Sequence, residues 1–228
     1  MDANRKAWNA RHKELRHALE KTGDRKLAVE LFLIQHAAVH SKRPTRLPTH
    51  SFEDEITENL TEKRWRFIPQ DGRHSMAWII WHLARVEDVT MNLLVASTDQ
   101  VLHAGDWNRQ LQIRYAHTGN GMSDQDVKRL SREIKIKALA EYRLTVGRKT
   151  RQIIIKLKGS DYKLKVSPKW IRRVWNEGAM LPSGKSIVDY WANRTIAGLL
   201  LMPPTRHCFL HLNEARRIRT KSTTQTNL

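Results

Sequence analysis

The sequence predicts an all-α protein, a helical bundle with accessory segments. Three observations point there. Apolar residues recur at threes and fours over most of the chain, capping residues open the periodic segments, and no alternating strand pattern with hairpin turns is evident. The nearest strand candidate, "LKGSDYKLKV" at 157–166, is short.

Taken in order, residues 3–20 form an amphipathic pattern. Asp24 then caps "KLAVELFLIQHAAVH", which "SKRPTRLP" ends with two prolines. "EDEITENLTEKR" (53–64) predicts a short acidic helix, and "IPQDGRH" a turn. Ser75 is placed to cap a helix over 76–97 that is apolar almost all round, so it should be buried on most sides. From Ser123, the positions Val127, Leu130, Ile134, Ala138, Tyr142, Val146, Thr150, Ile153 and Leu157 make one seam, predicting a continuous helix of more than thirty residues. A loop around Pro168 and Pro182 follows, then a helix from Ser186 to Leu201. Pro203 and Pro204 break it and start a last helix at about 205–219. No linker divides the 228 residues, so one domain is expected, with a core at about 24–219, an accessory helix in 1–22 and a flexible tail at 220–228.

Composition narrows the function classes. The opening "MDANRKAWNARHKELRHALEK" lacks the apolar run of a secretory signal. The most apolar stretch, 77–96, is interrupted by His82, Arg85, Glu87, Asp88 and Asn92, which argues against a membrane span. The single cysteine, Cys208, excludes intramolecular disulfides and cysteine-based zinc knuckles, and a cytoplasmic location is expected. The formal charge of +18 is unevenly spread: residues 123–185 hold 17 Lys and Arg against 6 Asp and Glu. Such a stretch attracts nucleic acid or anionic substrates, or is simply the solvated face of a long helix and its following loop. "PSGKS" (182–186) fails as a phosphate loop, because Gly178 is one residue too far from Gly184 and no apolar strand precedes it.

The chemistry-bearing pattern is "TRHCFLHLNEA" at 205–215. On a helix, His207 and His211 differ by only about 40° in direction, so both can reach one ion. Cys208 stands where the general base of an H-E-x-x-H helix would be, and as a small core residue it is neither a ligand nor a nucleophile. Of the remaining histidines, His82 alone sits within the most buried segment. Its imidazole needs partners there, either a metal with an acceptor behind it or ordinary hydrogen bonds. Arg85, three residues on, lies on the ligand side and is either an anion binder or a buried salt bridge. Glu87, about 140° from His82, should clamp another helix. Trp78 is one turn before His82. Glu214, about 20° from His207, is either a support for a metal ligand or a surface carboxylate.

The pair of segments "SMAWIIWHLARVEDVTMN" and "GLLLMPPTRHCFLHLNEARRIR" resembles the DinB-like superfamily of metal-binding four-helix bundles, with YfiT-like proteins, bacillithiol transferases and mycothiol-dependent isomerases among its members. The resemblance spans roughly residues 50–219. It implies an up-down-down-up four-helix bundle, often dimeric, with metal ligands at His82, His207 and His211. The N-terminal helix and an insertion before the last helix exceed the minimal domain, and the strong basic charge departs from the family. What the resemblance implies chemically is a divalent metal, zinc or nickel foremost, holding a low-molecular-weight thiol as its thiolate for attack on a small electrophile. Arg85 would then receive the thiol's carboxylates. Metal-assisted hydrolysis, with Glu214 as base, is the second expectation. A non-catalytic protein that binds nucleic acid through 123–185, with Trp170 and Trp175 stacking, is the third.

Overall fold

The computed structural model describes residues 2–22, 24–42, 49–70, 72 and 74–224. Helix α1 (Ala3–His17) is capped by Asp2 and runs into a π-helical turn at Ala18–Thr22. Asp24 caps α2 (Arg25–Ala38), as its sequence predicts, accepting from the Leu27 N–H. Two short helices, α3 (Phe52–Thr57) and α4 (Glu62–Arg66), replace the single one expected. Asn59 between them takes a left-handed φ of 57°, which no helix can continue through. Ser75 caps α5 (Met76–Asp88), every residue of which is buried, and a π-helical stretch extends it through Val89–Val95. Then come the short α6 (Val101–Ala104) and α7 (Trp107–Leu111).

The long helix expected from residue 123 is two, α8 (Asp124–Glu133) and α9 (Ile136–Lys156). Its apolar seam nevertheless crosses the break, with Ile134 fully buried. The interruption is made by distant partners, so no proline or glycine marks it. The Lys135 N–H donates to the Leu111 carbonyl, and the Arg66 guanidinium takes the carbonyls of Ser131 and Arg132, the last turn of α8. The expected loop around Pro168 is also helical. Pro168 opens α10 (Pro168–Asn176), where its missing N–H does no harm. A 3₁₀ turn at Pro182–Gly184 leads into α11 (Lys185–Ala192), and Thr195 caps a separate α12 (Ile196–Leu201). Pro203 and Pro204 lie in a π-helical segment, Met202–His207, that continues directly into α13 (Cys208–Thr224). The last helix thus runs five residues past the expected end, and residues 225–228 of the expected tail lie outside the described residues. The same holds for the two prolines of "SKRPTRLP" and part of "IPQDGRH". Among the described residues the nearest thing to a strand is an isolated bridge, Lys165 to Thr195, and no helix is long and apolar enough to cross a membrane.

The bundle consists of α2, α5, α9 and α13, with α1 along α2 and α3 against α13. Helix α5 packs on both α9 and α13, and its Trp81, Leu83 and Ala84 are completely buried. The bundle is pinned by one carboxylate. Glu87 of α5 accepts from His36 Nε2 (2.8 Å) and His40 Nε2 (2.9 Å), and pairs with Arg143 Nη1 of α9 at 2.7 Å. Arg143 also bonds Glu53 of α3 at 3.0 Å and the Val39 carbonyl, and lies 3.6 Å from Cys208 Sγ of α13. The helix-clamping role expected of Glu87 is what these contacts describe, with His40 joining His36 in it. Burial would raise the Glu87 carboxyl, but the N–H groups of His40 and His36 and the charge of Arg143 hold it well below the ordinary glutamate range. Burial and the nearby Arg143 push His40 down to about 3, so it stays neutral at pH 7.

Removing Arg143 leaves the Glu87 charge buried with only neutral donors. The variant Arg143→Leu should lose about 3–5 kcal/mol of unfolding free energy in urea denaturation; a loss below about 1 kcal/mol would contradict the clamp. Acid should act on the same cluster. Between about pH 6.5 and 3 the unfolded chain protonates at His40 and the folded protein does not, so stability rises with pH through that window. The depressed Glu87 works in the same direction below its unfolded pKa. The variant His40→Gln should flatten the dependence of the urea midpoint on pH.

Candidate metal centre

His82 reaches the site from the middle of α5, His207 from the end of the π-helical segment, and His211 from the first turn of α13. The three rings meet edge to face, with centroids 5.0 Å apart for His82–His207, 5.0 Å for His82–His211 and 4.6 Å for His207–His211. One possible ligand atom from each lies within 4.8 Å of the others.

The hydrogen bonds behind the rings identify which atoms face inward. His82 Nδ1 lies 2.6 Å from the Thr118 carbonyl oxygen, and His211 Nδ1 lies 2.8 Å from Glu214 Oε2. A carbonyl and a carboxylate only accept, so both Nδ1 atoms carry the proton. Neutral rings in that tautomer present bare Nε2 lone pairs to the centre. His82 Nε2 sits 3.1 Å from His207 Nε2. Burial, and then the neighbouring His211, press the His82 imidazole down to about 3, so it stays neutral. Without an ion, the 3.1 Å contact is met by an Nε2 proton on His207, whose Nδ1 has no acceptor. With that proton released, three Nε2 lone pairs converge and the donor set fits a divalent ion.

Glu214 does more than hold His211. Its other oxygen accepts from His74 Nδ1 at 3.0 Å, and His74 stacks flat on Trp78 at 3.7 Å. Burial alone would raise this carboxyl, but the hydrogen bonds from His211 and His74 hold it at about 2. Sequence spacing left Glu214 open between surface and support; the structure places it behind a candidate ligand. His74 was missed because it precedes a helix cap. Its spacing of four from Trp78 was the available signal.

The cluster opens into a cavity of about 500 Å³, whose walls include Trp78, Val127, Ile187, Tyr190, Trp191 and Met202. Its roof is the loop 118–121, where Gly119 and Gly121 take left-handed φ values of 90° and 76°. A Cβ on Gly119 would come within 2.7 Å of Trp81, so this loop must carry glycine to sit where Thr118 meets His82.

Arg85 is not in the cavity. It is fully buried and directed away, bonded to Asp88 (2.9 Å), Tyr142 (2.8 Å), Gln100 and the Ala116 carbonyl. The expected carboxylate binder is therefore a structural cation, and the salt-bridge alternative holds. Cys208 is buried, and burial pushes its thiol up to about 12, which removes it as a nucleophile. A second cluster, His36, His40 and Glu87, also brings possible ligand atoms within 4.8 Å. Its imidazoles turn Nε2 toward a carboxylate already paired with Arg143, so they act as donors and need no ion.

Comparison with known families supplies the context. The DinB superfamily profile matches residues 54–169, from α3 into α10. The chain belongs to the DinB superfamily. The matched span includes His82 and ends before His207 and His211, so those two join the site through the fold. No curated protein matches the sequence. The DinB assignment fits the all-helical bundle, and the matched region leaves α1, α2, α11, α12 and α13 outside it.

Elemental analysis of the protein purified under metal-replete conditions should give about one divalent ion per chain. His82→Ala and His207→Ala should lose it while staying folded by circular dichroism. Glu214→Gln should keep the stoichiometry but bind about 10–100-fold more weakly in a chelator competition. Metal retained by both alanine variants would contradict the site.

Proposed function

We propose that this DinB protein is a divalent-metal-dependent enzyme, a thiol S-transferase acting on a small electrophile, with zinc or nickel as the ion. The observation that carries this reading is the cluster of inward-facing Nε2 atoms at the edge of a cavity of about 500 Å³, large enough for a small-molecule substrate. Three histidine ligands leave a position free, the arrangement of catalytic rather than structural sites, and an ion there supplies the positive charge that keeps a bound thiol ionised at neutral pH.

The protein's own residues do the rest. Thr118 and Glu214 fix two ligand rings by their Nδ1 protons. The apolar walls exclude water and hold the electrophile beside the cluster. With its Nδ1–H given to Glu214, His74 keeps Nε2 as the ring nitrogen that can take the thiol proton and return it to the leaving group. Hydrolysis is less well supported, because both oxygens of Glu214, its expected base, are occupied by imidazoles. The basic residues of 123–185 lie largely on exposed faces of α8, α9 and α10, and several pair internally, such as Arg129 with Glu133 and Arg173 with Asp99. That pattern favours a solvated surface over a nucleic-acid site.

The test is thioether formation by metal-reconstituted protein, using a panel of low-molecular-weight thiols with 1-chloro-2,4-dinitrobenzene. At least one thiol should react faster than the uncatalysed rate, and His82→Ala should lower that rate by about 100-fold or more. Equal rates for wild type and His82→Ala would contradict S-transfer at this site. Salt-sensitive binding of single-stranded nucleic acid that survives loss of the histidines would favour the non-enzymatic alternative.

A further inference from the structure

The cavity's walls contrast with the rest of the molecule. The chain carries 41 Lys and Arg and a net charge of +18, yet none of the described residues lining this cavity is Lys, Arg, Asp or Glu. Its apolar lining includes Trp78, Val127, Ile187, Trp191 and Met202, with Asn120 and Tyr190 adding neutral polar side chains beside the histidines. Val127 and Trp191 belong to the buried core, so this wall is continuous with the protein interior. The nearest cation on α5, Arg85, has both terminal nitrogens committed to Asp88, Tyr142, Gln100 and the Ala116 carbonyl and cannot turn inward without breaking them. The glycine loop beside the cavity is close-packed. A Cβ on Gly121 would come within 2.0 Å of Ser183 Oγ, and one on Gly119 would press into Trp81.

We infer that the interior of this cavity takes an uncharged, largely hydrocarbon group and rejects carboxylates and ammonium ions. The inference rests on the reading of the cavity as the active site and names the substrate class that site accepts. An ion entering it would leave its hydration behind and meet no opposite charge on the apolar wall. An apolar group of similar size loses nothing there and gains the wall's contacts. The charged end of any thiol co-substrate therefore stays at the mouth, in water, while the electrophile occupies the interior.

The experiment uses three matched probes: 2-naphthylmethanol, 2-naphthoate and 2-naphthylmethylammonium. Binding to the full-length protein is followed by titration calorimetry, both as purified and after chelation, with circular dichroism confirming that the chelated protein is folded. The chelated form isolates the wall, because a carboxylate can otherwise coordinate the ion. Neutral naphthylmethanol should bind at least tenfold more tightly than either ion. Ile187→Lys, at a partly buried lining position, should weaken the neutral probe and raise the affinity for naphthoate; Met202→Lys serves the same purpose if the first variant does not fold. Equal or tighter binding of either ion to the chelated wild type would overturn the charge inference and leave the metal reading standing. Failure of all three probes to bind either form would overturn both the inference and the reading of the cavity as an active site.

Discussion

A buried carboxylate governs this structure. Glu87 lies at the centre of the bundle and cannot be left unpaired there, so the helices around it are obliged to supply partners. His36 comes from the last turn of α2 and His40 from just beyond it, Arg143 from the middle of α9, and Glu53 and Cys208 close the cluster from α3 and α13. Any shift of one helix relative to another would strand a charge in the core. The rotation of α5 is thereby set. With Glu87 facing α2 and α9, His82 points to a different side of the same helix, toward the start of α13.

The candidate metal centre follows from that rotation. It uses no residue of the clamp, but it depends on α5 and α13 being held in register, because His82 must meet a pair that arrives four residues apart on another helix. Two neighbouring clusters of histidines illustrate how hydrogen-bond direction decides chemistry. In one, imidazoles donate through Nε2 to a carboxylate and the cluster is closed. In the other, Thr118 and Glu214 draw the protons back to Nδ1, and the Nε2 lone pairs are left facing a cavity. Proximity alone does not separate these two clusters; the acceptors behind the rings do.

Much of this was legible in the sequence where the signal was local. Ser75, Asp24 and Ser123 cap the helices they were expected to cap. Spacing and burial offered His207, His211 and His82 as candidates, and the family resemblance joined them into the cluster the structure brings together. What failed to show was set by distant partners. The break at residues 134–135 depends on Arg66 and Leu111, and no feature of the seam Val127–Leu157 announces it. Helix spacing puts Arg85 on the ligand side of α5, but the structure turns it away from the cavity to Asp88, Gln100 and Tyr142, which lie on three different segments. His74 was overlooked because its role comes from Glu214, 140 residues away. A sequence shows which residues are able to act and where a helix turns them; it does not show which acceptor stands behind them.

The central claim is that His82, His207 and His211 present Nε2 atoms to one ion. X-ray absorption at the metal edge of the loaded protein tests it most directly. The account predicts scattering from three imidazole nitrogens at about 2.0–2.1 Å, with the outer-shell pattern of intact rings and no sulfur from the protein. A first shell dominated by carboxylate oxygen, or containing the Cys208 sulfur, would contradict it.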